Sequence, residues 1–215
     1  MVNLTNLILE KKIIAICRGI YGESLMLLAE ALLKGGIVLM EVTFDQSDPD
    51  HLKKTSEAIA ALKSTFPAMK SGAGTVLNLA QLGAAKDAGA EFIITPNTDT
   101  TIITKTKELG LVSIPGAMTP SEIVDAYHAG ADFVKLFPAA QLGIEYIKAI
   151  LAPLNNAQLL ATGGINETNL PDFLRAGCVG AGIGGNLCDK KLIAAKAFDK
   201  LEEVARTYNS LVGGN

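Results

Sequence analysis

The chain has 215 residues, of which 49% are hydrophobic and 19% charged, and its formal net charge is −3. A chain of this length and composition can bury a substantial core, which excludes an intrinsically disordered protein. The slightly acidic balance offers no basic surface for nucleic acid. No apolar run approaches the roughly 18–20 residues that span a bilayer. Composition therefore favours a soluble globular protein that binds neither nucleic acid nor membrane.

The cysteines indicate the compartment. Cys17, Cys178 and Cys188 are odd in number and lack CxxC spacing, a pattern typical of proteins kept reduced in the cytoplasm. The first residues show no basic stretch followed by an apolar one, so we expect no signal peptide. These patterns together predict a cytoplasmic protein.

Eight short β-branched or aliphatic runs predict eight strands. Most of them follow a Gly or an Ala-Gly pair, which commonly ends a helix. The predicted strands cover residues 13–17, 38–44, 71–75, 92–95, 111–114, 133–137, 158–162 and 178–183.

Helical spacing fills the segments between these runs. Helices are predicted over residues 23–34, 79–88, 120–128 and 167–175, with caps at Asn78, Thr119 and Asn166. Strand and helix alternating eight times implies parallel strands, which close naturally into a barrel. A doubly wound open sheet is the alternative on pattern alone. With no linker in the chain, we predict an α/β fold with one domain over residues 1–215, an eightfold β/α (TIM) barrel.

A lysine, Lys135, stands in the middle of a run that otherwise predicts a fully buried strand. Lysine is rarely buried, because its charge must be paired or given up. A neutral lysine is an amine nucleophile that can form a Schiff base with a carbonyl substrate. An edge strand with a solvated lysine is the alternative interpretation.

The alternation of side chains along a strand pairs this lysine with a carboxylate. Lys135 shares a face with Phe133 and Phe137, and Glu41 shares a face with Leu39. If the intervening residues pack outward, Lys135 and Glu41 both point into the barrel. They would then form either a buried ion pair, a poor stabiliser because of desolvation, or an amine nucleophile with a proton-transfer carboxylate.

Strand-to-loop corners, three of them rich in glycine, lie at the end where barrels carry their chemistry. The corners at residues 72–75 and 95–97 would let backbone and threonine hydroxyls approach a ligand, or they are ordinary tight turns. The clusters at 162–165 and 180–186 follow the last two strands. Backbone N–H groups at such loops bind phosphate in many barrels. Glycines required for strand–helix packing are the alternative.

The two histidines, His51 and His128, fall on the polar side of helix-like stretches, so we expect both at the surface. No cluster of histidine, cysteine and carboxylate residues has the spacing of metal ligands. We therefore predict no metal site.

Taken together, these segments resemble the 2-keto-3-deoxy-6-phosphogluconate (KDPG) and 4-hydroxy-2-oxoglutarate (KHG) aldolase family of class I, Schiff-base aldolases. The resemblance covers nearly the whole chain. It rests on the segments EVTF (41–44), GAGTVL (72–77), FIITP (92–96), PGAMTPSE (115–122), VKLFPA (134–139) and TGGI (162–165).

The resemblance implies a carbon–carbon lyase that needs no cofactor. It implies cleavage of a 2-keto-3-deoxy-6-phospho-sugar acid, of 4-hydroxy-2-oxoglutarate, or of both. The products would be pyruvate and an aldehyde, either glyceraldehyde 3-phosphate or glyoxylate. The partners implied are a small 2-keto acid substrate and further copies of the chain in a homotrimer.

The resemblance also implies roles for individual residues. Lys135 is the expected Schiff-base lysine and Glu41 the general acid/base. Arg18, with Thr75, is expected to meet the substrate carboxylate. The pyruvyl pocket is expected to be lined by Thr75, Pro96 and Phe137, and the phosphate to be bound by Gly163, Gly164, Gly184 and Gly185.

Three positions depart from the family pattern. Asp45 stands where many members have arginine, Ala161 replaces a usual proline, and Gly185 replaces a frequent serine, which leaves backbone contacts to phosphate there. The first departure leaves the substrate open. Two other functions compete with the aldolase: an isomerase or synthase on a phosphate-binding barrel, and a catalytically idle ligand-binding barrel.

Overall fold

The protein is described by a computed structural model that covers residues 3–213. The strands are β1 (Ile13–Cys17), β2 (Leu39–Thr43), β3 (Lys70–Gly74), β4 (Phe92–Ile94), β5 (Val112–Ile114), β6 (Gly116–Ala117), β7 (Val134–Leu136), β8 (Leu159–Thr162) and β9 (Gly180–Ile183). The helices are α1 (Leu4–Lys11), α2 (Gly22–Lys34), α3 (His51–Thr65), α4 (Leu79–Asp87), α5 (Thr100–Glu108), α6 (Pro120–His128), α7 (Ala139–Leu142), α8 (Ile144–Leu151), α9 (Leu170–Arg175), α10 (Lys190–Ala194) and α11 (Phe198–Val212).

The strands form one parallel sheet in the order β5-β4-β3-β2-β1-β9-β8-β7-β6. β5 and β6 are two halves of the fifth strand position, separated by Pro115, which has no N–H to donate. β5 pairs with β4, whereas β6 pairs with β7. The Phe133 N–H also donates to the Ser113 carbonyl at 3.3 Å, which closes the ring. The eightfold barrel is confirmed, and the open-sheet alternative is wrong.

Helix starts follow the predicted caps with one difference. Thr119 and Glu122 form a reciprocal capping box at α6, and the Asn78 side chain accepts from Gln81 N–H at α4. Asn166 instead holds a turn, because its Oδ1 accepts from Thr168 N–H and Asn169 N–H. Helix α9 therefore begins at Leu170, three residues later than predicted.

Two apolar cores confirm the predicted alternation of faces. The core between the sheet and the outer helices includes Met40, Val42, Val134 and Leu136. The core inside the barrel is made by Ile8, Ile14, Leu39, Phe92, Ile94, Ile114, Phe133 and Leu160. Ile8 belongs to α1, a helix that the sequence analysis does not predict and that packs on this inner core. Apolar packing therefore fills the barrel beneath its carboxyl-terminal end.

No helix within residues 3–213 is both long enough and apolar enough to cross a membrane. The single-domain prediction extends over residues 1–2 and 214–215, and the signal-peptide expectation includes residues 1–2. These four residues lie outside the described part of the chain.

Candidate active site

A cavity of about 570 Å³ opens at the carboxyl-terminal end of the strands. Every predicted site residue except Glu41 lines it. These lining residues are Arg18, Thr75, Pro96, Lys135, Phe137, Gly163, Gly164, Gly184 and Gly185. Residues from six different strand–loop junctions thus meet in one space, as the barrel architecture predicts.

Lys135 reaches this cavity from β7, which is paired on both sides. The residue is 8% exposed, so the alternative of a solvated lysine on an edge strand is wrong. Its Nζ lies 5.3 Å from the centroid of the Phe137 ring, within the range of a cation–π contact. The amine is therefore held at the barrel mouth next to an aromatic face.

Glu41 is 1% exposed, and the charge of Lys135 acts on its carboxyl group. Within residues 3–213, neither carboxyl oxygen has a hydrogen-bond partner, and no ion pair within 4.0 Å joins it to Lys135. Burial raises the pKa of Glu41, and the charges of Lys135 and Arg18 offset part of that rise. A buried ion pair is thus not what the two residues form. The carboxyl group is instead free to exchange a proton.

The glycines of β3 have a different role from the one predicted. A Cβ at Gly74 would overlap the carboxyl group of Glu41, and a Cβ at Gly72 would overlap the ring of Phe92. Both positions face into the barrel, where the neighbouring strands project large side chains. These glycines therefore make room for inner side chains and not for a ligand.

The two threonine corners differ from each other. Thr75 lines the cavity and has a φ of +56°, while its carbonyl accepts from Gln46 Nε2 at 3.1 Å. Thr95 is buried, and its hydroxyl donates to the Asn97 carbonyl. The expectation that both corners present a hydroxyl to a ligand thus fails for Thr95, because its hydroxyl closes its own turn.

Arg18 and Asp45 differ in whether their side chains reach the cavity. Arg18 lines the cavity, is exposed and forms no ion pair with residues 3–213. Asp45 Oδ1 accepts from the Ser47 N–H at 3.0 Å and from the Ser47 hydroxyl at 2.7 Å. These bonds lower the pKa of Asp45, and the residue is not part of the cavity lining. The carboxylate is therefore held within its own loop.

The glycine loops after β8 and β9 present backbone donors. Gly163 and Gly164 have φ values of +92° and +74°, which side chains rarely adopt. The N–H groups of Gly164, Ile165, Gly185 and Asn186 donate no hydrogen bond to residues 3–213. The cavity wall thus offers unpaired amide donors on two neighbouring loops, an arrangement that suits an anion.

Six further lining residues are absent from the predicted set: Ile16, Thr162, Ile165, Asn166, Gly182 and Asn186. Ile16 and Thr162 face inward by the same strand alternation that identifies Glu41. Asn186 directly follows the Gly184–Gly185 pair, so the expectation of contacts from backbone alone overlooks its side chain. A polar residue next to a glycine pair is the signal that could have identified it.

The histidines split between two environments. His128 is exposed, as predicted, whereas His51 is half-buried and packs edge-on against Phe44 with ring centroids 5.7 Å apart. The surface prediction is wrong for His51 because one face of α3 packs on the loop after β2. Among residues 3–213, no group of three or more His, Cys, Asp or Glu side chains could hold a metal ion.

Comparison with known sequences shows that the chain is similar to aldolases. A family model described as KDPG and KHG aldolase matches residues 4–204. The chain is 31% identical over 207 residues to the probable 2-dehydro-3-deoxy-6-phosphogalactonate aldolase of Rhizobium meliloti, covering 96% of this chain and 95% of that protein. It is 32% identical over 204 residues to the 2-dehydro-3-deoxy-phosphogluconate aldolase of Haemophilus influenzae, with coverages of 94% and 93%.

Comparison with solved structures also finds a KDPG aldolase among the similar proteins. The KDPG aldolase of Legionella pneumophila, with pyruvate captured at low pH as a covalent carbinolamine intermediate, superposes with a TM-score of 0.85 at 28% identity, covering 96% of this chain and 98% of that one. The thiamine phosphate pyrophosphorylase of Pyrococcus furiosus gives a TM-score of 0.73 at 18% identity, over 98% of each chain. The second likeness shows the fold alone.

Proposed function

Since the chain belongs to the KDPG and KHG aldolase family and is an aldolase, a carbon–carbon lyase, we propose that it cleaves a 2-keto-3-deoxy-6-phospho-sugar acid to pyruvate and glyceraldehyde 3-phosphate through a Schiff base. One observation carries the mechanism. Lys135 at the cavity and Glu41, whose carboxyl group is influenced by the charge of Lys135, are both buried, and the two make no ion pair within 4.0 Å. Neither group is therefore tied up in an ion pair with the other, which leaves both available to react with a substrate.

The first step is attack by the neutral amine of Lys135 on the keto carbon of the substrate. The carbinolamine loses water and leaves a protonated imine, which draws electrons from the neighbouring bonds. The carbinolamine with pyruvate in the Legionella pneumophila relative supports this step. Phe137 faces the amine and shields one side of the reacting carbon from water.

The second step is proton transfer at Glu41. The carboxylate removes the proton of the 4-hydroxyl, the bond between carbons 3 and 4 breaks, and its electrons move into the imine to give an enamine. The new aldehyde leaves. Glu41 returns the proton to carbon 3, and water then releases pyruvate and the free Lys135 amine. The raised pKa of Glu41 makes it a stronger base than an ordinary carboxylate, which suits a group that takes and returns one proton.

The remaining lining residues position the substrate. Arg18 and Thr75 would bind the carboxylate that stays unchanged through the reaction. Pro96 and Phe137 would line the pyruvyl pocket. The phosphate would bind at the donor-rich wall made by Gly163, Gly164, Gly184 and Gly185.

The proposal includes both configurations at carbon 4, because the relatives include a phosphogalactonate aldolase and a phosphogluconate aldolase. 4-Hydroxy-2-oxoglutarate, which would give pyruvate and glyoxylate, is a further proposed substrate. We also propose a cytoplasmic homotrimer. Exposed leucines at the start of α3 and α4 support assembly, namely Leu52, Leu77 and Leu79.

A retro-aldol screen tests the proposal. Pyruvate release would be followed with 2-keto-3-deoxy-6-phosphogluconate, its galactonate epimer, their unphosphorylated forms and 4-hydroxy-2-oxoglutarate. We expect turnover of at least one phosphorylated acid, and none with a Lys135→Met variant whose circular dichroism matches the wild type. No pyruvate from any of these acids would overturn the proposed function.

A further inference from the structure

Asn186 is held at the cavity by a chain of hydrogen bonds that extends to the last helix. Its Nδ2 donates to Glu167 Oε2 at 2.8 Å, and the hydroxyl of Tyr208 donates to the same oxygen at 3.0 Å. Tyr208 lies on α11 and is fully buried. Asn186 lines the cavity, whereas Glu167 does not. The asparagine amide therefore stands between the cavity and an anchored carboxylate.

Asn166 faces the same cavity from the loop after β8. Hydrogen bonds to its carbonyl oxygen, not to its nitrogen, orient its side-chain amide. Its Oδ1 accepts from Thr168 N–H at 2.9 Å and from Asn169 N–H at 3.1 Å. Its Nδ2 donates to none of the residues 3–213. The carbonyl oxygen is thus occupied within the loop, and the amide protons remain available.

Cationic side chains lie beside the loop after β9, because Arg18, Lys190 and Lys191 line a neighbouring cavity together with Gly184 and Gly185. Among residues 3–213, two cationic side chains line the cavity of the candidate active site, namely Arg18 and Lys135. The proposed mechanism uses the first for the substrate carboxylate and the second for the imine. An anionic group at the glycine loops therefore meets N–H donors directly, since Lys190 and Lys191 lie outside the lining of this cavity.

We propose that the side-chain amides of Asn166 and Asn186 bind the distal phosphate of the substrate, and that Glu167 and Tyr208 act as positioning residues for Asn186. The inference rests on the proposed function. Asn166 and Asn186 flank the unpaired N–H groups of Gly164, Ile165 and Gly185, so side-chain and backbone donors converge from both loops. Neutral donors fixed by partners on their far side bind an anion without reorienting.

Glu167 suits the positioning role because it is ionised at neutral pH. Its pKa is lowered by hydrogen bonds from its own backbone N–H, from Tyr208 and from Asn186. A charged acceptor holds an amide donor more strongly than a neutral one does. The two donors on this carboxylate oxygen also offset part of its negative charge, which weakens its repulsion of the bound phosphate.

The test compares a phosphorylated 2-keto-3-deoxy six-carbon acid with its unphosphorylated form. Asn166→Asp keeps both bonds to Thr168 and Asn169 but replaces the free amide protons by an anionic oxygen. We expect KM for the phosphorylated acid to rise by about tenfold or more, with KM for the unphosphorylated acid changed less than about twofold. Asn3→Asp is the matched control, since Asn3 caps α1 by accepting from Thr5 N–H at 2.9 Å, at the other end of the barrel.

Glu167 and Tyr208 are tested on the same substrate pair. Glu167→Ala should raise KM for the phosphorylated acid by roughly three- to tenfold with kcat unchanged. Glu167→Gln keeps an acceptor and should recover part of that loss, and Tyr208→Phe should give a smaller rise. Tyr146→Phe is the matched control, because the Tyr146 hydroxyl donates to the Met118 carbonyl and not to a cavity residue.

Equal rises in KM for the two acids, or an unchanged KM for the phosphorylated acid in Asn166→Asp, would overturn the inference. A wild-type protein that turns over neither acid would reject the proposed function, and calorimetric binding of inorganic phosphate then decides the inference separately. Weaker phosphate binding by Asn166→Asp than by Asn3→Asp supports it. Equal binding by these two variants rejects it.

Discussion

The carboxyl group of Glu41 occupies the space that a side chain at Gly74 would fill. A Cβ built on Gly74 overlaps both Oε1 and Cδ of Glu41. The two residues lie on adjacent strands, since Glu41 pairs with Gly72 and Thr43 with Gly74 in the register of β2 and β3. The position of the Glu41 carboxyl group, which the proposed mechanism uses, therefore depends on the absence of a side chain at residue 74.

Gly74→Ala should displace Glu41 and lower kcat by about a hundredfold or more, because a misplacement of roughly 1 Å can cost that much. Gly83→Ala is the matched control, with nothing within 4 Å of the new methyl group on α4. It should keep full activity and gain up to about 1 kcal/mol in unfolding free energy. Steady-state kinetics decide, and more than about a third of wild-type kcat in Gly74→Ala would contradict the packing argument.

The buried Glu41 should make stability depend on pH. Its pKa is raised above the ordinary value of 4.5, so folding favours the protonated form. The contribution of Glu41 to stability is complete below pH 4.5 and is lost as pH rises through the raised pKa. Glu41→Gln removes the buried charge. It should be more stable than the wild type at pH 8, with the difference shrinking toward pH 4, while turnover is abolished.

Urea unfolding of the two proteins at both pH values measures this difference. Lys70→Gln, which removes a half-buried charge paired with Glu91 at the start of β3, serves as a control for general effects of net charge. A stability difference between Glu41→Gln and wild type that stays constant from pH 4 to pH 8 would show that Glu41 is not the titrating group.

Arg18→Leu should lower kcat/KM for a 2-keto acid by about ten- to a hundredfold, because hydrogen bonds to charged groups contribute roughly 1.5–3 kcal/mol. Asp45→Arg should not rescue this variant. Asp45 is held by Ser47 outside the cavity lining. An arginine at residue 45 would therefore extend from a position that does not line the cavity. A loss below about threefold in Arg18→Leu would assign Arg18 to the surface, where ion pairs are worth under ~1 kcal/mol.

Activity should survive in excess EDTA. The described residues provide no group of three metal-ligating side chains, and the proposed imine performs the electron withdrawal that a metal ion supplies in other aldolases. Assays before and after dialysis against chelator measure this. Activity that falls on chelation and returns with a divalent ion would place the reaction in a different mechanistic class.

The sequence predicts most of the barrel and the reacting pair because strand alternation is a local rule. A period of two suffices to point Lys135 and Glu41 inward once β7 and β2 are recognised, and capping chemistry places the start of α6 at Thr119. The same rule, applied to every strand, would also have predicted Ile16 and Thr162.

Contacts between distant parts of the chain could not be predicted in this way. The bond from Asn186 to Glu167 spans 19 residues, and that from Tyr208 to Glu167 spans 41. The reason for Gly74 is also non-local, because the group it accommodates belongs to another strand. Helix α1 is a different case: Leu4, Leu7 and Ile8 have helical spacing, so the same local rule would have predicted this helix before the first strand.

The most direct test of the account is reduction with borohydride in the presence of pyruvate. The account predicts irreversible inactivation and the addition of one pyruvyl group at Lys135, read by peptide mass spectrometry. Lys107→Met, which removes a lysine paired with Asp132 outside the cavity, should be labelled as the wild type is, whereas Lys135→Met should not be labelled. An adduct on another lysine, or full activity after reduction, would contradict the Schiff base at Lys135.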